Sequence, residues 1–126
     1  MIDIQKQIEY WRAGAAEEWK FAGHVLDEGD IRHGLFFIHL SLEKIIKARV
    51  CKKTGCLAPQ THSLLKLFEA TGLVISQEDR EFLGEMTQYN IAGRYPDLSK
   101  VLPPPVSVKE IRQKAERIYI WLLSQL

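Results

Sequence analysis

Apolar residues recur along this chain in steps of three and four, and nowhere do they alternate cleanly with period two. From Asp3 to about Asp27 the stripe runs Ile4, Ile8, Trp11, Ala15, Trp19, Ala22 and Leu26, flanked by the polar Lys6, Glu9, Arg12 and Lys20. That spacing draws one apolar face on a long helix. Gly29 ends it, and Asp30 is placed to cap a second helix whose stripe is Leu35, Ile38, Leu42, Ile45 and Arg49. Phe36, Leu40 and Ile46 widen that stripe, which predicts a helix buried on more than one side. Gly55 and Pro59 break the pattern. Thr61 then stands at an N-cap position before a short helix, His62 to Phe68, closed by Gly72.

Ser76 followed by Asp79 predicts a capped fourth helix, with Phe82, Leu83, Met86, Tyr89 and Asn90 inward and an end near Gly93, before Pro96. Pro103-Pro104-Pro105 is a stiff spacer. Ser107 and Glu110 make a capping-box signature for a last helix, with Val108, Ile111, Ala115, Ile118 and Leu122 inward. The prediction is an all-α protein: one domain over residues 1–126, folded as an up-and-down bundle of four or five helices. The first two helices, about 24 residues and roughly 36 Å each, should lie antiparallel across the tight Gly29-Asp30 turn.

The chain of 126 residues suits a single core, and its 46% hydrophobic and 26% charged content is that of an ordinary globular protein. A net charge of +1 gives no bulk electrostatic case for indiscriminate nucleic-acid binding. No apolar run reaches the roughly eighteen residues of a membrane span, and Met-Ile-Asp-Ile-Gln-Lys is no signal peptide, so the expectation is a cytoplasmic protein without a membrane partner. Cys51 and Cys56, five apart, are expected as free thiols. With His62 they fall short of four zinc ligands, so no metal is predicted. No cofactor is predicted either. There is no phosphate-binding glycine loop, no di-iron carboxylate set and no zinc-spaced histidine pair. Trp11, Trp19 and Trp121 all lie on amphipathic stripes and read as core or interface.

Four polar groupings remain as candidates for chemistry. Glu43 and Lys47, with Lys44 beside them, make either a surface ion pair or a cationic ridge for phosphate. His62, in the first turn of the third helix, is either a cap or interhelical hydrogen bond, or a ligand group. Arg94, Tyr95 and Asp97 at the fourth helix's exit form either an internal clamp or a guanidinium fork for phosphate with a stacking ring. Arg32 and His39, seven apart and two turns along one helix, either serve metal-independent RNA cleavage or leave His39 as a packed histidine.

The order of these segments resembles the HEPN family. The residues that carry the resemblance are Glu43-Lys44-Ile45-Ile46-Lys47-Ala48 on the second helix, Thr61-His62-Ser63-Leu64 entering the third, and Ala92-Gly93-Arg94-Tyr95-Pro96-Asp97 ending the fourth. Each motif is weak alone, while three in order span nearly the whole chain. The resemblance implies a helical bundle, commonly a homodimer, often encoded beside a minimal nucleotidyltransferase in toxin–antitoxin-like pairs. By position, Glu43, Lys44, Lys47, His62, Arg94, Tyr95 and Asp97 match the family's recurring polar residues. Some members are metal-independent ribonucleases with an Arg and a His four to six residues apart near helix four. Here no histidine follows Arg94. The expected function is therefore a non-catalytic module that binds a nucleotide, an RNA phosphate or a nucleotidyltransferase partner. Arg94 with Lys44 or Lys47 would touch phosphate, Tyr95 would stack, and Asp97 would hold Arg94. The alternatives are an endoribonuclease toxin using Arg32 and His39, or Arg94 and His62 across a dimer, and a pure assembly domain.

Overall fold

The computed structural model describes residues 2–94 and 103–126, with backbone alone at 91–94 and 105. These residues form five helices: α1 (Ile4–Asp27), α2 (Ile31–Thr54), α3 (Leu64–Glu69), α4 (Gln77–Arg94) and α5 (Pro105–Ser124). No strand occurs among the described residues, nor any helix long and apolar enough to cross a membrane.

The caps explain where the helices begin. Asp3 accepts the Lys6 N–H at 3.1 Å, and Asp30 accepts the His33 N–H at the same distance. That second bond, reinforced by the His33 ring, holds the Asp30 carboxyl below its usual range. Ser76 accepts the Asp79 N–H at 3.1 Å, and Gly55, at φ 67°, ends α2 in the left-handed conformation that other residues rarely adopt.

Two predicted starts fall elsewhere. Ser63, not Thr61, caps α3 by accepting the Lys66 N–H at 3.3 Å, while Thr61 turns the approach by accepting the Ser63 N–H at 3.1 Å. His62 therefore precedes the helix instead of lying in its first turn. The Ser107–Glu110 capping box is not formed either. Pro105 occupies the first helical position, with Pro104 as a cap that makes no side-chain bond. Proline's ring pre-sets the helical φ and has no N–H to satisfy, so the helix begins before Ser107 is reached.

The wide stripe of α2 has the expected consequence: α2 is the central rod and packs against each of the other four helices. It runs antiparallel to α1, since Gly34 meets Leu26, Ser41 donates to the Ala15 carbonyl at 2.8 Å, and Lys47 reaches Trp11. It runs parallel to α5, whose C-terminal end is tied to it by Arg49. The guanidinium, placed by sequence in the apolar stripe, donates to the Thr71 and Gln125 carbonyls at 3.2 and 3.1 Å. Leu35, Ile38, Leu42, Leu64, Phe68, Leu83, Met86, Ile118 and Leu122 fill one continuous core. Trp19 stacks on Tyr119 at 5.2 Å, and Trp121 leans on Phe68. A smaller cluster of Ile8, Ala48 and Cys51, with Trp11 against it, closes the far end. Cys51 is buried there, which raises its thiol pKa, while Cys56 is exposed, and both are free.

Candidate functional site

Glu43 lies on the buried side of α2, only 4% exposed, and a carboxylate so enclosed requires partners. It has two. Its Oε2 accepts from Lys47 Nζ at 3.2 Å, one helical turn on, and its Oε1 accepts from His62 Nδ1 at 2.8 Å. Lys47 is itself 8% exposed, and its ammonium lies 4.7 Å from the centroid of the Trp11 ring. The negative face of the indole supplies the attraction that water would otherwise give. The Glu43–Lys47 pair is thus an internal ion pair spanning α1, α2 and the approach to α3, not the surface pair or free ridge that spacing suggests.

His62 is the member that meets solvent, its side chain 53% exposed. The Glu43 carboxylate can only accept, so Nδ1 carries the shared proton and Nε2 is left for whatever comes to the surface. The backbone at this point is also held. His39 is wholly buried, and its Nε2 donates to the His62 carbonyl at 3.0 Å. Just beyond, the Leu64 N–H donates to Thr87 Oγ1 at 3.3 Å, which fixes the entry of α3 against α4. His39 is therefore a positioning group inside the fold. In this enclosed place it has no access to a scissile phosphate, which removes the geometric basis for pairing it with Arg32.

Lys44 goes elsewhere. Its Nζ donates to Glu18 on α1 at 2.8 Å, and its stem crosses Gly14, where an added Cβ would stand 3.0 Å from Lys44 Cδ. It borders a separate hollow of about 230 Å³ with Tyr10 and Glu17. Two lysines three residues apart thus serve different faces of α1.

The structure brings together Glu43, Lys47 and His62. It sets Lys44 apart. Arg94 closes α4 two turns after Thr87, so its backbone continues the helix that passes the His62 approach; its side chain, with Tyr95 and Asp97, lies outside the described residues. Trp11 belongs to the cluster, although its place on the stripe marks it only as core, because nothing in linear spacing joins it to Lys47. Among the described residues no group of three or more His, Cys, Asp or Glu is disposed to hold a metal ion. Of the remaining ion pairs the best built is Arg117 on α5 with Asp79 on α4, two bonds at 2.7 and 3.1 Å. It holds the Asp79 carboxyl below the usual range and is structural, joining the two helices.

The sequence pattern of the HEPN domain matches residues 8–125, nearly the whole chain. Among solved structures, the chain is similar to TT1696 from Thermus thermophilus. The two superpose with a TM-score of 0.81 at 20% identity, over 95% of this chain and 98% of that one. At that identity the likeness concerns the fold. No curated protein matches the chain.

Proposed function

The chain belongs to the HEPN domain family, and from that premise we propose that it is a non-catalytic HEPN module that binds a nucleotide or RNA phosphate at the His62 face. The observation that carries this reading is the buried Glu43 carboxylate, shared between Lys47 and the half-exposed His62. Lys47 neutralises Glu43 inside the fold. The His62 ring, donating through Nδ1, leaves Nε2 for the ligand, and a charge-assisted bond to an anion there is worth roughly twice a neutral one. In this proposal Glu43 and Lys47 orient the imidazole, Arg94 supplies a second cation from the end of α4, Tyr95 stacks on a base, and Asp97 holds Arg94. Lys44, tied to Glu18, is a clamp between α1 and α2.

The test is fluorescence anisotropy of a labelled single-stranded RNA in EDTA, with the RNA recovered and sized afterwards. Saturable binding of intact RNA is expected, weakened about tenfold in His62→Ala and in Arg94→Ala with helical circular dichroism unchanged. Equal binding by both variants would overturn the site. Cleavage in chelator, lost in His62→Ala, would replace it with the endoribonuclease reading.

A second reading has its own observation. Phe21 and Tyr10 stand 48% and 66% exposed on α1, and Phe21 packs against Phe37, which in turn packs against Phe36. Such aromatic exposure suits a protein interface. It supports a module that forms a homodimer or docks a nucleotidyltransferase in a toxin–antitoxin-like pair. Sedimentation of wild type against Phe21→Ser, with and without that partner, separates this from phosphate binding. A monomer in every case would refute it.

A further inference from the structure

Away from His62, where the α1–α2 turn meets the first turns of α5, the surface holds a hollow of about 250 Å³ lined by Leu26, Gly29, Ile31, Val108, Lys109 and Arg112. Its walls are of two kinds. Leu26, Ile31 and Val108 give an aliphatic floor, and Gly29, at φ 89° with open space beside it, leaves the mouth clear of any side chain. Lys109 and Arg112 give the rim. The same two cations border a shallower groove of about 470 Å³ that continues along α5 past Gln113, Glu116 and Arg117 to the exposed Ile120. They therefore stand at the junction, with an apolar recess on one side and open groove on the other.

The two cations are differently held. Arg112 is oriented: its Nη1 donates to Asp27 at 2.9 Å, and its Nη2 lies over Gly23, where a Cβ would stand only 3.1 Å away. One guanidinium edge is thus engaged, while the fork retains further N–H donors. Lys109 is exposed and has no ion-pair or hydrogen-bond partner among the described residues. An apolar recess with one exposed ammonium and one pre-oriented guanidinium at its lip is complementary to a ligand with a short apolar body and one anionic end.

We propose that this corner binds a small amphiphilic anion, a monocarboxylate with an aliphatic or single-ring body, its carboxylate between Lys109 and Arg112 and its body on Leu26, Ile31 and Val108. At about 250 Å³ the recess suits a body near the size of one aromatic ring, since pockets for drug-sized molecules start near 300 Å³. None of its lining residues belongs to the Glu43–Lys47–His62 cluster, so this site is distinct from the one proposed at His62.

Phenylacetate, with 2-phenylethanol as its uncharged counterpart, is the probe. Amide chemical shifts of the labelled full chain are followed on titration in wild type, Lys109→Gln, Ile31→Trp and His62→Ala. Saturable shifts at Ile31, Val108 and Lys109 are expected with phenylacetate. Affinity should fall about tenfold in Lys109→Gln and for the alcohol on wild type, in keeping with loss of one charge-assisted bond. Binding should vanish in Ile31→Trp, whose ring fills the recess, and stay unchanged in His62→Ala. Shifts that do not saturate, equal binding of acid and alcohol, or indifference to Lys109→Gln would each overturn the proposal. A melting temperature retained in Lys109→Gln separates lost binding from misfolding.

Discussion

Removing the Glu43 carboxylate should be the most damaging single change in the polar part of this fold, and its surroundings set the magnitude. In Glu43→Leu the Lys47 ammonium stays where it is, with a side chain only 10% exposed, and among the described residues keeps only the Trp11 face as a partner. Breaking a buried pair from one side costs about 3–5 kcal/mol, because the remaining charge is neither solvated nor matched. For a domain of this length each kcal/mol moves the melting temperature by about 3–5 °C, so a fall of roughly 10–20 °C is expected. The reverse change is milder. In Lys47→Met, Glu43 still accepts from His62, which has access to water, and the thioether can pack on the indole; about 1–2 kcal/mol is expected. The double variant Glu43→Leu/Lys47→Met removes both charges and should recover to within about 1 kcal/mol of wild type, because a well-packed apolar pair often matches a buried ion pair. Urea unfolding followed by circular dichroism measures all four corners of the cycle. A Glu43→Leu loss below about 1 kcal/mol, or a double variant as weak as the sum of the singles, would show that the pair is not an enclosed unit and would refute the reasoning.

Other outcomes follow from particular contacts. Asp79, held below the usual carboxylate range by Arg117, contributes stability that is whole above about pH 4, where the unfolded chain's carboxyl is ionised, and is lost as pH falls through the lower folded value. Urea midpoints should therefore drop more steeply with acid in wild type than in Asp79→Asn, and parallel profiles would contradict this. Gly34→Ala would drive a Cβ into Leu26 Cδ2 and Cγ at the α1–α2 contact and should cost about 1–3 kcal/mol. Gly14→Ala meets first the Lys44 stem, a flexible chain that can give by a few tenths of an ångström while keeping Glu18, and gains helix propensity, so it should be neutral or stabilising by up to about 1 kcal/mol. Thermal melts of the two variants give opposite signs if the contacts are as described.

The helices of this protein are written in its sequence because their signals are local. Asp3, Asp30 and Ser76 cap the helices they precede, Gly55 takes the one conformation that ends α2, and the broad stripe of α2 marks the rod that every other helix touches. The HEPN relationship is legible for the same reason, since each of its three motifs is a short run of neighbours in the chain. What sequence alone misjudges is any choice between two nearby residues of one kind. Thr61 and Ser63 both offer a hydroxyl before α3; Ser63 takes the cap, and the Leu64 N–H that follows it donates across to Thr87 on α4. Lys44 and Lys47 are three apart on one helix, yet one crosses Gly14 to Glu18 and the other is drawn inward between Glu43 and Trp11. Local periodicity gives the direction of a side chain around its own axis. The rotation of that axis against its neighbours is set by the fit of whole faces, and that fit made Glu43 a buried hub and left His62 at the surface.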